Sequence, residues 1–102
     1  MAKININDKI AKLHSKAYDL AIQEVERLAR KILSENPELD EFVMDVGYYF
    51  TYKDPDRNET PSYDEPFLEE LNEFMDKWDE DLNISNRHVT RFSLTENPIV
   101  LN

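Results

Sequence analysis

Apolar residues recur through the first third of the chain at Ile10, Leu13, Ala17, Ala21, Val25, Leu28 and Ile32. Their mean spacing of about 3.7 residues matches a straight α-helix rather than the 3.5-residue period of a left-handed coiled coil. Leu20, Ala29 and Leu33 widen the stripe, while a strict heptad from Ile10 would put Glu24 and Arg27 in the seam. Asn7 or Asp8 can cap the N-terminus and no Gly or Pro intervenes before Pro37, so the pattern predicts a helix from there to Ser34. At ~1.5 Å per residue it would run roughly 40 Å, more than a domain of this size needs. The surplus is expected either to project or to pack against a second copy, as a homodimer through this first helix.

Asn36-Pro37 reads as the next start, with Asn as N-cap and Pro in the first turn. Leu39, Phe42, Val43, Val46 and Phe50 then make one face of a second helix reaching about Tyr52. The alternative is a short strand over Tyr48–Tyr52, a β-prone run behind Gly47, which could cap a helix ending there. Ser62-Tyr63-Asp64-Glu65 has the form of a capping box. Behind it, Phe67, Leu71, Phe74, Trp78 and Leu82 repeat at gaps of three and four, broadened by Leu68 and Met75. The pattern switches to alternation over His88–Leu94, turns at Thr95-Glu96-Asn97-Pro98, and returns through Ile99-Val100-Leu101. The expected fold is mostly α with an α+β character: three helices, the first long, and a small C-terminal β-hairpin packed on them. At 102 residues it is one domain, 1–102.

Charge sharpens the picture. The chain carries a net charge of -10, which repels nucleic acid and anionic membrane and argues against direct binding to either. Up to Ser34 there are seven Lys/Arg against four Asp/Glu, and from Glu35 onward five against eighteen. A basic first helix docked on an acidic remainder is the simplest use of that asymmetry. Cysteine is absent, which removes disulfides and thiolate metal sites. No apolar run approaches the roughly 18 residues of a membrane span, and the N-terminus lacks the apolar region of a signal peptide. The expected location is cytoplasmic.

Two stretches carry candidate chemistry. The first is the connection from Asp54 to Glu65. A calcium-binding EF-hand loop takes oxygen ligands at positions 1, 3, 5, 7, 9 and 12 between two helices. Counted from Asp54, these are Asp54, Asp56, Asn58, Thr60, Ser62 and Glu65. Asp54, Asp56, Asn58 and Glu65 are thus the candidate metal ligands, with calcium the candidate cation. Against it, the turn glycine is replaced by Glu59, and Pro61 stands where a backbone N–H is needed. The competing account is a polar, proline-braced hinge that sets the angle between two packed helices.

The second is the acidic third helix. Nine carboxylates lie between Asp64 and Asp81, with Lys77 the one base among them. Glu69, Glu73, Asp76 and Glu80 follow helical spacing and form a stripe, the candidate interaction surface. Carboxylates spaced along a helix can imitate duplex phosphate charge for a DNA-binding protein. The plainer account is a solvated face partly neutralised by Lys9, Lys12, Lys16, Arg27, Arg30 or Lys31. Tyr48, Tyr49, Phe50, Tyr52 and Tyr63 form an aromatic group suited either to the core or to a contact surface.

Nothing in the residues argues for an enzyme. The two histidines, His14 and His88, are far apart, and with Gly47 the one glycine no glycine-rich phosphate loop can form. The functional expectation is a small acidic accessory protein acting non-enzymatically through protein–protein contact. The alternatives are a DNA-mimic inhibitor of a nucleic-acid-binding protein and a cation-binding module.

Overall fold

The computed structural model describes residues 6–57, 59–82 and 88–101, with side chains over the same ranges except 6–15 and 81–82. Helix α1 (Ile6–Glu35) is followed by strands β1 (Leu39–Met44) and β2 (Tyr48–Tyr52). A 3-10 turn (Pro66–Leu68) leads into helix α2 (Glu69–Lys77), which widens into a π turn (Trp78–Leu82). Strands β3 (Thr90–Phe92) and β4 (Ile99–Val100) complete an antiparallel sheet of order β2-β1-β3-β4. Helix α1 packs on β1 and β3, and α2 packs on α1 and shares one buried core with the sheet.

The long first helix lies where its periodicity places it. Ala21, Val25, Leu28, Ala29, Ile32 and Leu33 are buried. Its end is closed by Asn36, whose backbone N and side-chain Nδ2 both donate to the Ile32 carbonyl, at 3.0 and 2.9 Å. Asn36 therefore stops one helix rather than starting another, and the Leu39 N–H turns back onto the Asn36 carbonyl.

The three-helix expectation is overturned at residues 39–52. They form the β1–β2 hairpin, and the architecture is two helices on a four-stranded sheet. The physical reason lies in the register. Leu39 pairs with Tyr52, Phe42 with Phe50 and Met44 with Tyr48, while the register shifts between Leu39 and Glu41. That β-bulge brings Leu39 and Phe42, three residues apart, onto the same inward face and so imitates a helical stripe. Val46, the supposed link to Phe50, stands 97% exposed at the hairpin tip. Gly47 completes the tip, its N–H donating to Asp45 Oδ1 at 2.9 Å.

The separate C-terminal hairpin packed on the helices is corrected too: its two strands pair with each other but join β1 and β2 in one sheet, where β3 aligns Phe92 with Phe42 and Thr90 with Met44. The inner faces meet in a ring cluster, with Phe42 centred 5.0 Å from Phe50 and 5.6 Å from Phe92. On the opposite face Arg91 reaches Glu41 at 3.6 Å. Helix α2 and the turns flanking it close the core through Leu68, Leu71, Met75 and Trp78, all buried, and Tyr18 meets Trp78 edge-on at 5.6 Å. The capping box is not made. The Glu65 N–H donates to the Ser62 carbonyl at 3.1 Å, and the helical turn begins at Pro66 without a side-chain cap.

Candidate functional site

With Leu71, Met75 and Trp78 turned inward, the helical period leaves Glu69, Glu73 and Asp76 on the outer side of α2, and all three are exposed. Glu80, in the π turn, is exposed as well. Among the described residues no ion pair reaches these four carboxylates. Glu70 differs. It points toward α1, where Lys31 Nζ donates to Oε2 at 3.1 Å and Arg27 approaches Oε1 at 3.4 Å. Hydrogen bonding and charge from Lys31, then from Arg27, hold its carboxyl below the usual range. The same Arg27 clasps Glu24 and lowers that carboxyl too. Among the described residues the basic first helix thus meets the acidic one at a single carboxylate, while Arg30 turns to Glu26 and to the Glu96 carbonyl.

The stripe expected as one surface divides between two concavities. Glu69 and Glu73 rim a groove of about 350 Å³ between α1 and α2, with Leu28, Lys31 and Phe67 on its walls. Asp76 lines a different notch, of about 400 Å³, between α2 and the hairpin tip. Asp64 and Asp79 join it there, so three segments distant in sequence bring side chains to one place.

The wall of this notch is aromatic. Tyr63 stands edge-on to Tyr48 at 5.2 Å and its hydroxyl donates to the Tyr48 carbonyl at 2.9 Å. Asn72 Nδ2 donates to the Tyr63 carbonyl at 2.7 Å, fixing the loop on α2. Tyr48 itself is only 9% exposed, and its hydroxyl has no hydrogen-bond partner among the described residues. Burial, with the neighbouring Tyr63 and Asp76, pushes that hydroxyl up to about 12. Comparison with protein-family models, curated proteins and solved structures gives no match. Function must therefore be read from these residues alone.

The connection over 54–65 is placed differently from either expectation. It joins β2 to the 3-10 turn before α2, so the entering helix of a calcium loop is replaced by a strand, and the loop is not a hinge between helices. Asp54 Oδ1 accepts the Asp56 N–H at 2.9 Å, making an Asx turn. The Arg57 guanidinium lies 3.5 Å from the centre of the Tyr52 ring. Asp56 and Glu65 are exposed, and Asn58 lies outside the described residues. Among the described residues no group of three metal-ligating side chains comes together. His88 rests its ring 5.6 Å from Tyr18, and the His14 side chain lies outside the described residues. No helix among the described residues is long and apolar enough to cross a membrane.

Of the aromatic group, Tyr48 and Phe50 are core, Tyr52 carries Arg57, and Tyr49 and Tyr63 are exposed. The sequence puts Tyr48 and Tyr63 in the aromatic group and Asp76 in the acidic stripe, and leaves Asp64 and Asp79 as members of a charge run. The signal that could have found the notch is Tyr48 in alternation with Phe50 and Tyr52, which marks an inward strand position with a polar tip.

Proposed function

We propose that this protein is a non-enzymatic accessory protein that acts by binding a basic partner protein through the outer face of α2, with the cytoplasm as its place of action. The observation that supports the reading is the set of exposed carboxylates Glu69, Glu73, Asp76 and Glu80, mounted on a helix anchored by buried residues and without ion pairs among the described residues. A purely solvating face needs no such anchoring, and a face built to dock on its own fold would be neutralised as Glu70 is. The test is affinity capture with the full chain, followed by titration of the purified partner at rising salt. Glu69→Lys with Glu73→Lys is expected to abolish binding and keep the fold. Unchanged binding by the double variant would remove the α2 face from the reading.

A narrower reading is favoured by the same spacing. Successive carboxylates about 3.7 residues apart on a helix are separated by roughly 5.5 Å, against about 3.4 Å for the phosphates of one DNA strand. That spacing falls between adjacent phosphates and alternate ones, which are about 6.8 Å apart, so the stripe offers a DNA-binding protein a comparable line of negative charge. Duplex DNA should then compete with the protein for the partner, and failure to compete would leave only the general protein–protein reading. A homodimer through α1 is the proposal for the surplus helix length, and light scattering over a concentration series tests it. A constant monomer mass would exclude it.

A further inference from the structure

We propose that strand β4 is an interaction edge that pairs, antiparallel, with β4 of a second copy of this chain, joining the two sheets across a two-fold axis. The contact is separate from the α1 pairing proposed above and does not rest on the acidic face of α2. Two observations carry it. One is which backbone groups the sheet leaves over. Thr90 pairs with Val100 and Arg91 with Ile99, and the Leu101 N–H donates to the Val89 carbonyl at 2.7 Å. Antiparallel bonding alternates along a strand, so with Leu101 bonded to β3 the N–H and C=O of Val100 point away from it. Neither group has a partner among the described residues, and Val100 is 57% exposed.

The other is the contrast with β2, at the opposite margin of the sheet. There the Tyr63 hydroxyl donates to the Tyr48 carbonyl, and Phe50, in the middle of the strand, is 1% exposed. The chain closes one edge itself and leaves the other bare. Bare edges template strand addition and are usually blunted by lysine, proline or a bulge. On β4 the one such device is Pro98, ahead of the strand, and the run Asn97-Pro98-Ile99-Val100-Leu101-Asn102 carries no charge in a chain that is 33% charged. An edge of unpaired main-chain groups is satisfied by an extended strand. A two-fold axis at Val100 sets this residue against its own counterpart and Ile99 against the second copy's Leu101. Apolar then meets apolar at each position, and no like charges are opposed. That condition matters for a chain of net charge -10, whose copies repel each other. Because the β2 edge is closed, addition stops at two copies instead of running on into a fibre. Three residues a side make a smaller contact than the roughly 800 Å² per partner of a stable complex, so association is weak and rises with concentration.

The experiment is sedimentation equilibrium of the full chain from micromolar to millimolar concentration. The mass is expected to rise from monomer to dimer and no further. Val100→Lys sets two ammonium groups opposite each other at the axis and should hold the chain monomeric, even though it makes the chain less negative and so lowers general repulsion. Val100→Glu should do the same. An equimolar mixture of the two variants should recover the dimer, since opposite charges then face across the axis. The side chain is exposed, so both variants should melt close to the unaltered chain. Amide exchange of the unaltered chain gives a second readout. Protection of the Val100 N–H should grow with concentration, while that of Leu101, already bonded to Val89, should stay constant. A monomer mass throughout, or a Val100 amide indifferent to concentration, would overturn the pairing. A dimer that survives Val100→Lys would overturn it in favour of α1, and growth beyond two copies would overturn the closed two-fold arrangement.

Discussion

Tyr48 places a hydroxyl where the fold does not use it. The ring packs against Phe42 at 5.6 Å and belongs to the core, yet the oxygen is buried without a partner among the described residues. A buried donor left unsatisfied is a net cost to stability. Tyr48→Phe is therefore expected to stabilise the unliganded protein by roughly 1 kcal/mol, seen as a higher denaturant midpoint at constant slope. A destabilised variant would show that the hydroxyl is already engaged. The ionisation of this residue gives a second handle. Its pKa is raised from 10.0 to about 12, chiefly by burial, so between those values the folded chain keeps a proton that the unfolded chain has lost. Stability supplied by the neutral phenol is thus complete below pH 10 and is lost as pH rises toward 12. Tyr48→Phe should flatten that alkaline decline in urea melts run from about pH 9.5 upward.

At the scale of elements, the molecule illustrates how a bulge can disguise a strand. The first helix, the apolar face of the second and the two C-terminal strands could be read from periodicity because their side chains keep one period throughout. The β1–β2 hairpin could not, because the register shift between Leu39 and Glu41 inserts a spacing of three into a period of two. Only Tyr48, Phe50 and Tyr52 preserved the alternation. The contrast is measurable. Val46→Ser should change stability by less than about 0.5 kcal/mol, since the side chain is 97% exposed. Phe50→Ala, at a site 1% exposed, should cost about 3–5 kcal/mol. In a helix with Val46 and Phe50 on one face, both would be costly. The acidic site was legible only in part for a related reason: it joins the hairpin tip, the loop at Asp64 and the far side of α2, and no spacing in the sequence registers contact between separate segments.

The contact between α1 and α2 adds an electrostatic signature at the same scale. Glu70 is lowered by Lys31 and then Arg27, and Glu24 by Arg27. A depressed carboxyl contributes stability that is present above its ordinary value of 4.5 and disappears as pH falls through the folded value. Glu70→Gln should accordingly shrink the acid-side loss of stability below pH 4.5 while changing little at high salt, where an exposed pair is screened. An acid limb identical to that of the unaltered chain would mean that the Lys31 and Arg27 contacts do not persist in solution.

Across the whole molecule, the net charge of -10 is unevenly opposed. The basic first helix neutralises Glu70 but none of Glu69, Glu73, Asp76 and Glu80 among the described residues. These carboxylates repel one another and the rest of an acidic surface, so their free energy is lowered by screening salt or by a cationic partner. One set of residues thus gives two salt dependences of opposite sign. Thermal stability should rise with ionic strength, because a Debye length of about 10 Å at 0.1 M already weakens repulsion along α2. Affinity for a basic partner should fall over the same range. Glu69→Gln with Glu73→Gln should raise the melting temperature at low salt, reduce its dependence on salt and weaken the partner together. If stability rose without any loss of binding, the stripe would be a solvated face and nothing more.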